Sequence, residues 1–401
     1  MPRRLHSRPA DWPQVAARLD ELIGAHSGED AFEEGLKLLV AKWAQESGWD
    51  EKASPNGAVG GDDDVSDPVE RTDRRLDAAR RRWPGVLAPD ARTRLDAPTL
   101  RRCEAVLDHL PLLDAELFGL DAAFEILVNR AAKGQKGQFF TPRPIVSELV
   151  RMLAPRVGER VVDPACGSGG FLRHALAESP DCEVFGFDQD PRAERVARIM
   201  MAASGRDPDR IQRLDSLRRG PGVEIDTLED RHARVSGRPF APFDVVLTNP
   251  PFAGDVGDTY RATYQLAQLG RAERDVLFVE RCLELLRPGG RYAIVLPQNK
   301  VGGAAWAHVR RYLLERSHVV AVLGLARHTF QPHTAQKTSV VVGVKRAEKT
   351  AVAGDDEVLF FICDRAGKDA RGRLTLDAAG RTDCDLHEAT PRVRARLAAW
   401  E

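Results

Sequence analysis

A doubly wound α/β fold, with a mostly parallel sheet, an antiparallel last strand and helices ahead of it, is predicted by three observations. Residues 133–347 alternate short apolar strand patterns with helical ones, the signature of a sheet covered on both faces. The strand pattern Arg160-Val161-Val162 runs into Asp163-Pro164-Ala165-Cys166-Gly167-Ser168-Gly169-Gly170, a glycine-rich turn that opens a helix. Residues 1–132 instead carry helical periodicity, with apolar side chains at Phe32, Leu36, Leu39, Val40 and Trp43, and again at Leu100, Val106, Leu107 and Leu110.

Taken in chain order, the helical region 1–132 is interrupted near 54–68 by proline, glycine and four aspartates, which read as a flexible acidic linker. The six arginines between Arg71 and Arg82 read as a solvated helix face. In the α/β region, Glu183–Asp188 and Ile211–Leu214 are the second and third strands, and Phe243–Thr248 the fourth. The polar stretch 253–274 reads as a mobile lid or a DNA-facing loop, with an inert surface loop as the alternative. A helix is predicted near Val276–Leu286, a turn at Arg287-Pro288-Gly289-Gly290 and a strand at Tyr292–Leu296. Val319–Leu325 and Ser339–Lys345 follow with no helix-length pattern between them, so they should pair antiparallel. The extension 348–401 holds one strand pattern, Val358–Cys363, and a terminal helix, Pro391–Trp400.

With 401 residues and 43% apolar content, the chain can bury large cores in two or three domains. Its 60 acidic and 59 basic residues leave a formal charge of −1, unlike a stand-alone nucleic-acid binder. The six cysteines form no Cys-x-x-Cys pair and no histidine has zinc-ligand spacing, so no metal site is expected and a reducing cytoplasm is. No stretch has the length of a membrane span, and the N-terminus lacks an apolar signal core.

The tetrapeptide Asn249-Pro250-Pro251-Phe252 stands at the end of the fourth strand pattern. An exocyclic amine on a base is a poor nucleophile because its lone pair is delocalised into the ring. The Asn249 side-chain oxygen and the Pro250 carbonyl are two acceptors that can take its N–H bonds and free that lone pair. Pro251 has a fixed φ and no N–H, and Phe252 brings an aromatic face for a flipped-out base. Read alone, the motif is equally a strand-ending turn. Upstream, Asp188 ends the second strand pattern 21 residues after Gly167, near the spacing at which an acid meets ribose hydroxyls. Asp215 repeats the pattern after the third strand, where a helix cap is the alternative. Cys166, within the turn, reads as a small buried residue.

These motifs, in this order, resemble the N-6 adenine DNA methyltransferases of the gamma arrangement, and among them the modification subunits of type I restriction systems. Gly137-Gln138-Phe139-Phe140-Thr141-Pro142-Arg143 precedes the glycine turn, as in that group. The resemblance runs from Asp121 to about Arg346 and includes Ala123-Phe124-Glu125-Ile126-Leu127, Val295-Leu296-Pro297 and Lys337–Val342. It implies a class I S-adenosylmethionine-dependent methyltransferase fold, Rossmann-like, for residues 133–347. It implies methyl transfer from S-adenosylmethionine to the N-6 amine of adenine, with Asn249, Pro250, Pro251 and Phe252 as the catalytic residues. It places cofactor contacts at Gln138, Phe139, Phe140, Thr141, Pro142, Arg143, Asp163, Gly167, Ser168, Gly169, Gly170, Asp188 and Asp215. Asp188 stands where many relatives carry glutamate. The implied partners are double-stranded DNA with a flipped adenine, a DNA-specificity subunit and a restriction subunit. A methylase of another phage-defence system, a protein or RNA methyltransferase with the same tetrapeptide, and a non-catalytic cofactor-binding module remain the alternatives.

Overall fold

The structure is a computed structural model that describes residues 12–26, 29–49, 67–108, 112, 141–219, 227–252, 254–331, 334–350, 357–370 and 373–400. The chain divides into two compact units, Met1–Gly134 and Gln135–Glu401. Gln138, Phe139, Phe140, the lead-in Ala123–Leu127 and most of the acidic stretch near 54–68 lie outside the described residues.

The first unit contains the helices Trp12–His26, Ala31–Glu46, Pro68–Arg82 and Ala97–Leu107. Three of them start on an aspartate whose carboxylate accepts backbone N–H bonds: Asp30 from Phe32 and Glu33, Asp67 from Val69, and Asp96 from Thr99. Such caps satisfy donors that the first turn leaves without partners. Leu19, Ile23, Leu36, Leu39, Leu76 and Leu100 form the buried core. The arginine-rich helix is not uniformly solvated. Arg71 and Arg75 turn toward Glu104, at 2.9 and 3.7 Å.

The second unit is built on an eight-stranded sheet of order β3-β2-β1-β4-β5-β7-β6-β8. The strands are β1 Arg160–Asp163, β2 Glu183–Asp188, β3 Ile211–Arg213, β4 Phe243–Thr248, β5 Leu286–Pro297, β6 Ser317–Gly324, β7 Thr338–Lys345 and β8 Leu359–Ile362. Strands β1 to β5 are mutually parallel, and β7 runs antiparallel to both β5 and β6. The expected antiparallel strand is therefore β7, slotted between its neighbours, and β8 takes the edge beyond it, parallel to β6. Residues 287–290, expected as a turn, bulge out within β5. Leu286 pairs with Phe243 and Arg291 with Val245, so four residues stand opposite Asp244 alone.

Strand side chains alternate between two cores. On one face Val161, Val184, Val245, Leu247 and Val295 pack with the helices Arg143–Leu153, Gly170–Glu178, Pro191–Ala203 and Leu386–Ala398. On the other Val162, Phe185, Phe243, Val246 and Ile294 pack with Leu228–Ser236, Arg274–Leu285 and Ala307–Arg316. Each fully buried side chain of this kind contributes roughly 1.5–3 kcal/mol. The terminal helix begins at Leu386 and continues through Pro391, earlier than its sequence pattern suggested.

Candidate active site

The turn after β1 is held by its own backbone. The Asp163 carboxylate accepts the Ala165 N–H at 3.0 Å, and Gly169 donates to the Cys166 carbonyl at 2.8 Å. Gly167 and Gly169 have φ of +54° and +83°, which glycine adopts without steric cost. Gly169 caps the helix Gly170–Glu178. A Cβ on Gly186 would meet the side-chain tips of Ile211 and Leu172 at 2.7 Å and Cys166 Sγ at 3.0 Å, so β2 is packed tightly against β3, the helix Gly170–Glu178 and the turn. Cys166 is buried there, and burial pushes its thiol well above the ordinary value.

At the end of β2, Asp188 turns back to the glycine turn. Its Oδ2 accepts the Gly167 N–H at 2.9 Å and its Oδ1 the Asp190 N–H at 2.8 Å. Burial raises the Asp188 carboxyl to about 6, against the pull of these backbone donors. Burial raises Asp163 to about 7; the neighbouring Thr248 hydroxyl and the Ala165 N–H oppose the shift, and the Asp188 charge adds to it. A cation placed nearby would favour the ionised form of both. At the end of β3, Ser216 Oγ donates to the Pro164 carbonyl at 2.6 Å, and Asp215 Oδ1 accepts the Leu217 N–H at 3.2 Å.

The tetrapeptide leaves β4 between β1 and β5, the strands it pairs with. Asn249 is half-buried with its side-chain oxygen shielded from solvent, and Pro250 is buried. Phe252 is 8% exposed and meets Phe330 edge-on, with ring centroids 5.5 Å apart. Its ring belongs to the core and is not an open platform.

These loops frame a cleft that opens to solvent and is lined by Pro164, Ala165, Gly167, Asp188, Gln189, Ala193, Leu214, Asp215, Ser216, Asn249, Pro251, Arg274 and Phe278. It stands at the carboxyl ends of β1, β2, β3 and β4, where the strand order reverses, the usual ligand position in an open α/β sheet. Of the residues expected from sequence, Gly167, Asp188, Asp215, Asn249 and Pro251 line it together. Asp163, Ser168, Gly169 and Gly170 build the turn from below. Thr141, Pro142 and Arg143 lead into the helix Arg143–Leu153, which packs on Gly170–Glu178, and they are not among the lining residues.

Sequence reasoning missed Gln189, Leu214, Ser216, Arg274 and Phe278. Arg274 was overlooked because the stretch before it read as a mobile lid. Within that stretch Val256, Tyr264 and Ala272 are buried and cluster with Leu217, Leu277 and Phe278, and Leu266 is buried in the second core of the sheet, while most of the other described positions are exposed. The spacing of Val256, Tyr260, Tyr264 and Leu266 was the available signal. No group of three or more metal-ligating side chains occurs among the described residues.

The family model for N-6 DNA Methylase matches residues 115–376. The methylase subunit of the type I restriction enzyme EcoEI of Escherichia coli is 28% identical over 237 residues, covering 58% of this chain and 47% of that protein. The chain thus spans about half the length of that relative. Among solved structures, the methyltransferase subunit of a type I restriction-modification system from Streptococcus thermophilus superposes with a TM-score of 0.63 at 18% identity, over 96% of this chain and 93% of that one. A Listeria monocytogenes protein described as a class I S-adenosylmethionine-dependent methyltransferase gives 0.53 at 16% identity, over 97% of each chain. The fold is that of the class I methyltransferases, and with the family model covering most of its length the chain belongs to the N-6 DNA methylase family.

Proposed function

We propose that this chain transfers a methyl group from S-adenosylmethionine to the exocyclic N-6 amine of adenine in DNA, as the modification subunit of a type I restriction-modification system in the cytoplasm. The observation that carries the reading is the convergence of Asn249 with Gly167, Asp188 and Asp215 on one cleft at four adjacent strand ends. The cleft suits the cofactor. Its glycine turn allows close backbone approach, and Asp188 and Asp215 set carboxylates on its wall to accept hydroxyl and amine donors.

Bound there, the cofactor supplies an electrophilic methyl group on a sulfonium. The remaining work falls to the protein. Asp215 accepts the N–H of the cofactor's base, Asp188 stands toward its ribose while bracing Gly167, and Asp163 fixes the turn and adds negative charge. At the other end of the cleft, the Asn249 oxygen and the Pro250 carbonyl accept the two N–H bonds of the target amine and release its lone pair. Pro251 holds that carbonyl outward, and Phe252 supports the tetrapeptide from the core, braced by Phe330.

A base reaches this site only when flipped out of the duplex. The near-zero net charge favours a specificity subunit that grips the DNA, with a restriction subunit joining the same assembly. Sequencing of DNA from cells that express the chain, with and without its genomic neighbours, tests the reading by detection of N-6-methyladenine. Methylation at a defined motif that requires a neighbour is expected; absence of methylated adenine in every combination would refute it.

A further inference from the structure

Asp215 is shared by two side chains from the segment that follows the tetrapeptide. Tyr260 Oη donates to Oδ2 at 2.6 Å, and Arg274 Nη2 lies 3.4 Å from both oxygens while donating to Gln189 Oε1 at 3.1 Å. The tyrosine contact is short and charge-assisted; the arginine contact is long and splayed. Arg274 and Asp215 line the cleft, and Tyr260 is not among its lining residues. Burial and the adjacent Asp215 raise the Tyr260 phenol, which keeps it a donor at neutral pH.

A carboxylate beside an arginine frequently closes into a two-bond fork. With Tyr260 on Oδ2 and the Leu217 N–H on Oδ1, the Asp215 plane is set before Arg274 reaches it. Gly254, two residues past Phe252, lies against the Arg274 stem: with φ of +112°, a Cβ there would meet Arg274 Cδ at 3.2 Å. Tyr260 and Arg274, both from the segment after the tetrapeptide, thus both reach Asp215.

Resting on the functional reading above, we propose that Tyr260 is a positioning residue for cofactor selection: it withholds Asp215 from Arg274 and aims it at the amine of an aminopurine, so the cleft prefers adenosyl over inosyl ligands. A 6-oxo group at the same place would set a carbonyl against a carboxylate.

The test is calorimetry on the full chain with S-adenosylhomocysteine and S-inosylhomocysteine. Wild type should bind the adenosyl ligand at least about tenfold tighter, the worth of one hydrogen bond to a charged group. Tyr260→Phe, which keeps the ring, should bring that ratio below about threefold, and Tyr260→Phe with Arg274→Met should restore most of it, because the competing guanidinium is gone. Arg274→Met alone should keep the ratio. A Tyr260→Phe variant with the wild-type ratio, whether or not both affinities fall, would overturn the proposal by making Tyr260 merely structural, and so would a collapsed ratio in Arg274→Met. Failure of wild type to bind S-adenosylhomocysteine at all would overturn the functional reading, and the proposal with it.

Discussion

The Gly167 N–H donates to Asp188 Oδ2 at 2.9 Å, so the turn after β1 and the acid that ends β2 form one unit joined across 21 residues of sequence. An acid read from sequence as a ribose contact is at the same time the acceptor that holds the glycine turn. The proposed function therefore couples ligand affinity and local stability at this residue.

Asp188→Ala should lower both. Removing the acceptor leaves the Gly167 and Asp190 N–H groups unsatisfied, which costs about 1–3 kcal/mol. S-adenosylmethionine affinity should fall more than tenfold, and Asp188→Asn, which keeps one acceptor oxygen, should recover much of the stability. Urea titration and calorimetry on the two variants check this.

The raised carboxyls at Asp163 and Asp188 give opposite pH dependences to stability and binding. Both hold protons in the fold that the unfolded chain has released, so their contribution to stability is full below about 4 and is lost as pH rises through about 6 to 7. Binding of a sulfonium should follow the ionised forms and strengthen over the same rise. Cofactor affinity measured from pH 5.5 to 8 should increase, and Asp163→Asn should be as stable as wild type or more so at pH 8.

Gly186→Ala tests the packing beneath the turn. Its Cβ would stand 2.7 Å from Ile211 and Leu172 and 3.0 Å from Cys166 Sγ. Overpacking of this kind costs about 1–3 kcal/mol. A melting temperature unchanged from wild type would contradict the close approach of β2.

Phe252→Ala should destabilise the fold as well as impair transfer. The ring is buried against Phe330, and emptying such a site costs about 3–5 kcal/mol. Phe252→Trp, which keeps a buried aromatic side chain, should cost less stability than Phe252→Ala. Chemical denaturation separates this loss from any change in cofactor affinity.

The strand series and the glycine turn were legible because local spacing carries them: Asp163, Asp188, Asp215 and Asn249 each follow an apolar strand run. Membership of the cleft was only partly legible. Asp163 shares the strand-acid pattern yet is buried, accepts the Ala165 N–H and is not among the cleft's lining residues, a difference that spacing does not encode. Phe252 read as an exposed face because its partner, Phe330, lies 78 residues later, on a loop brought back by β7 pairing with both β5 and β6. Arg274 and Tyr260 reach Asp215 across 59 and 45 residues, through a segment whose polar composition suggested a free loop. The edge position of β8 was not legible either, since the short apolar run Val358–Cys363 does not name its neighbour.

The most direct test of the central claim is methyl transfer by Asn249→Ala. Tritiated-methyl transfer from S-adenosylmethionine to DNA should be measured for the complete complex, with cofactor affinity determined in parallel. In the proposed mechanism Asn249 acts on the target amine, so the variant should lose transfer while its cofactor affinity stays within about threefold of wild type, as expected for a residue that contributes only to the transition state. Asn249→Asp should retain a reduced rate, since a carboxylate still accepts the amine's hydrogen bond. Near-wild-type transfer by Asn249→Ala would contradict the account.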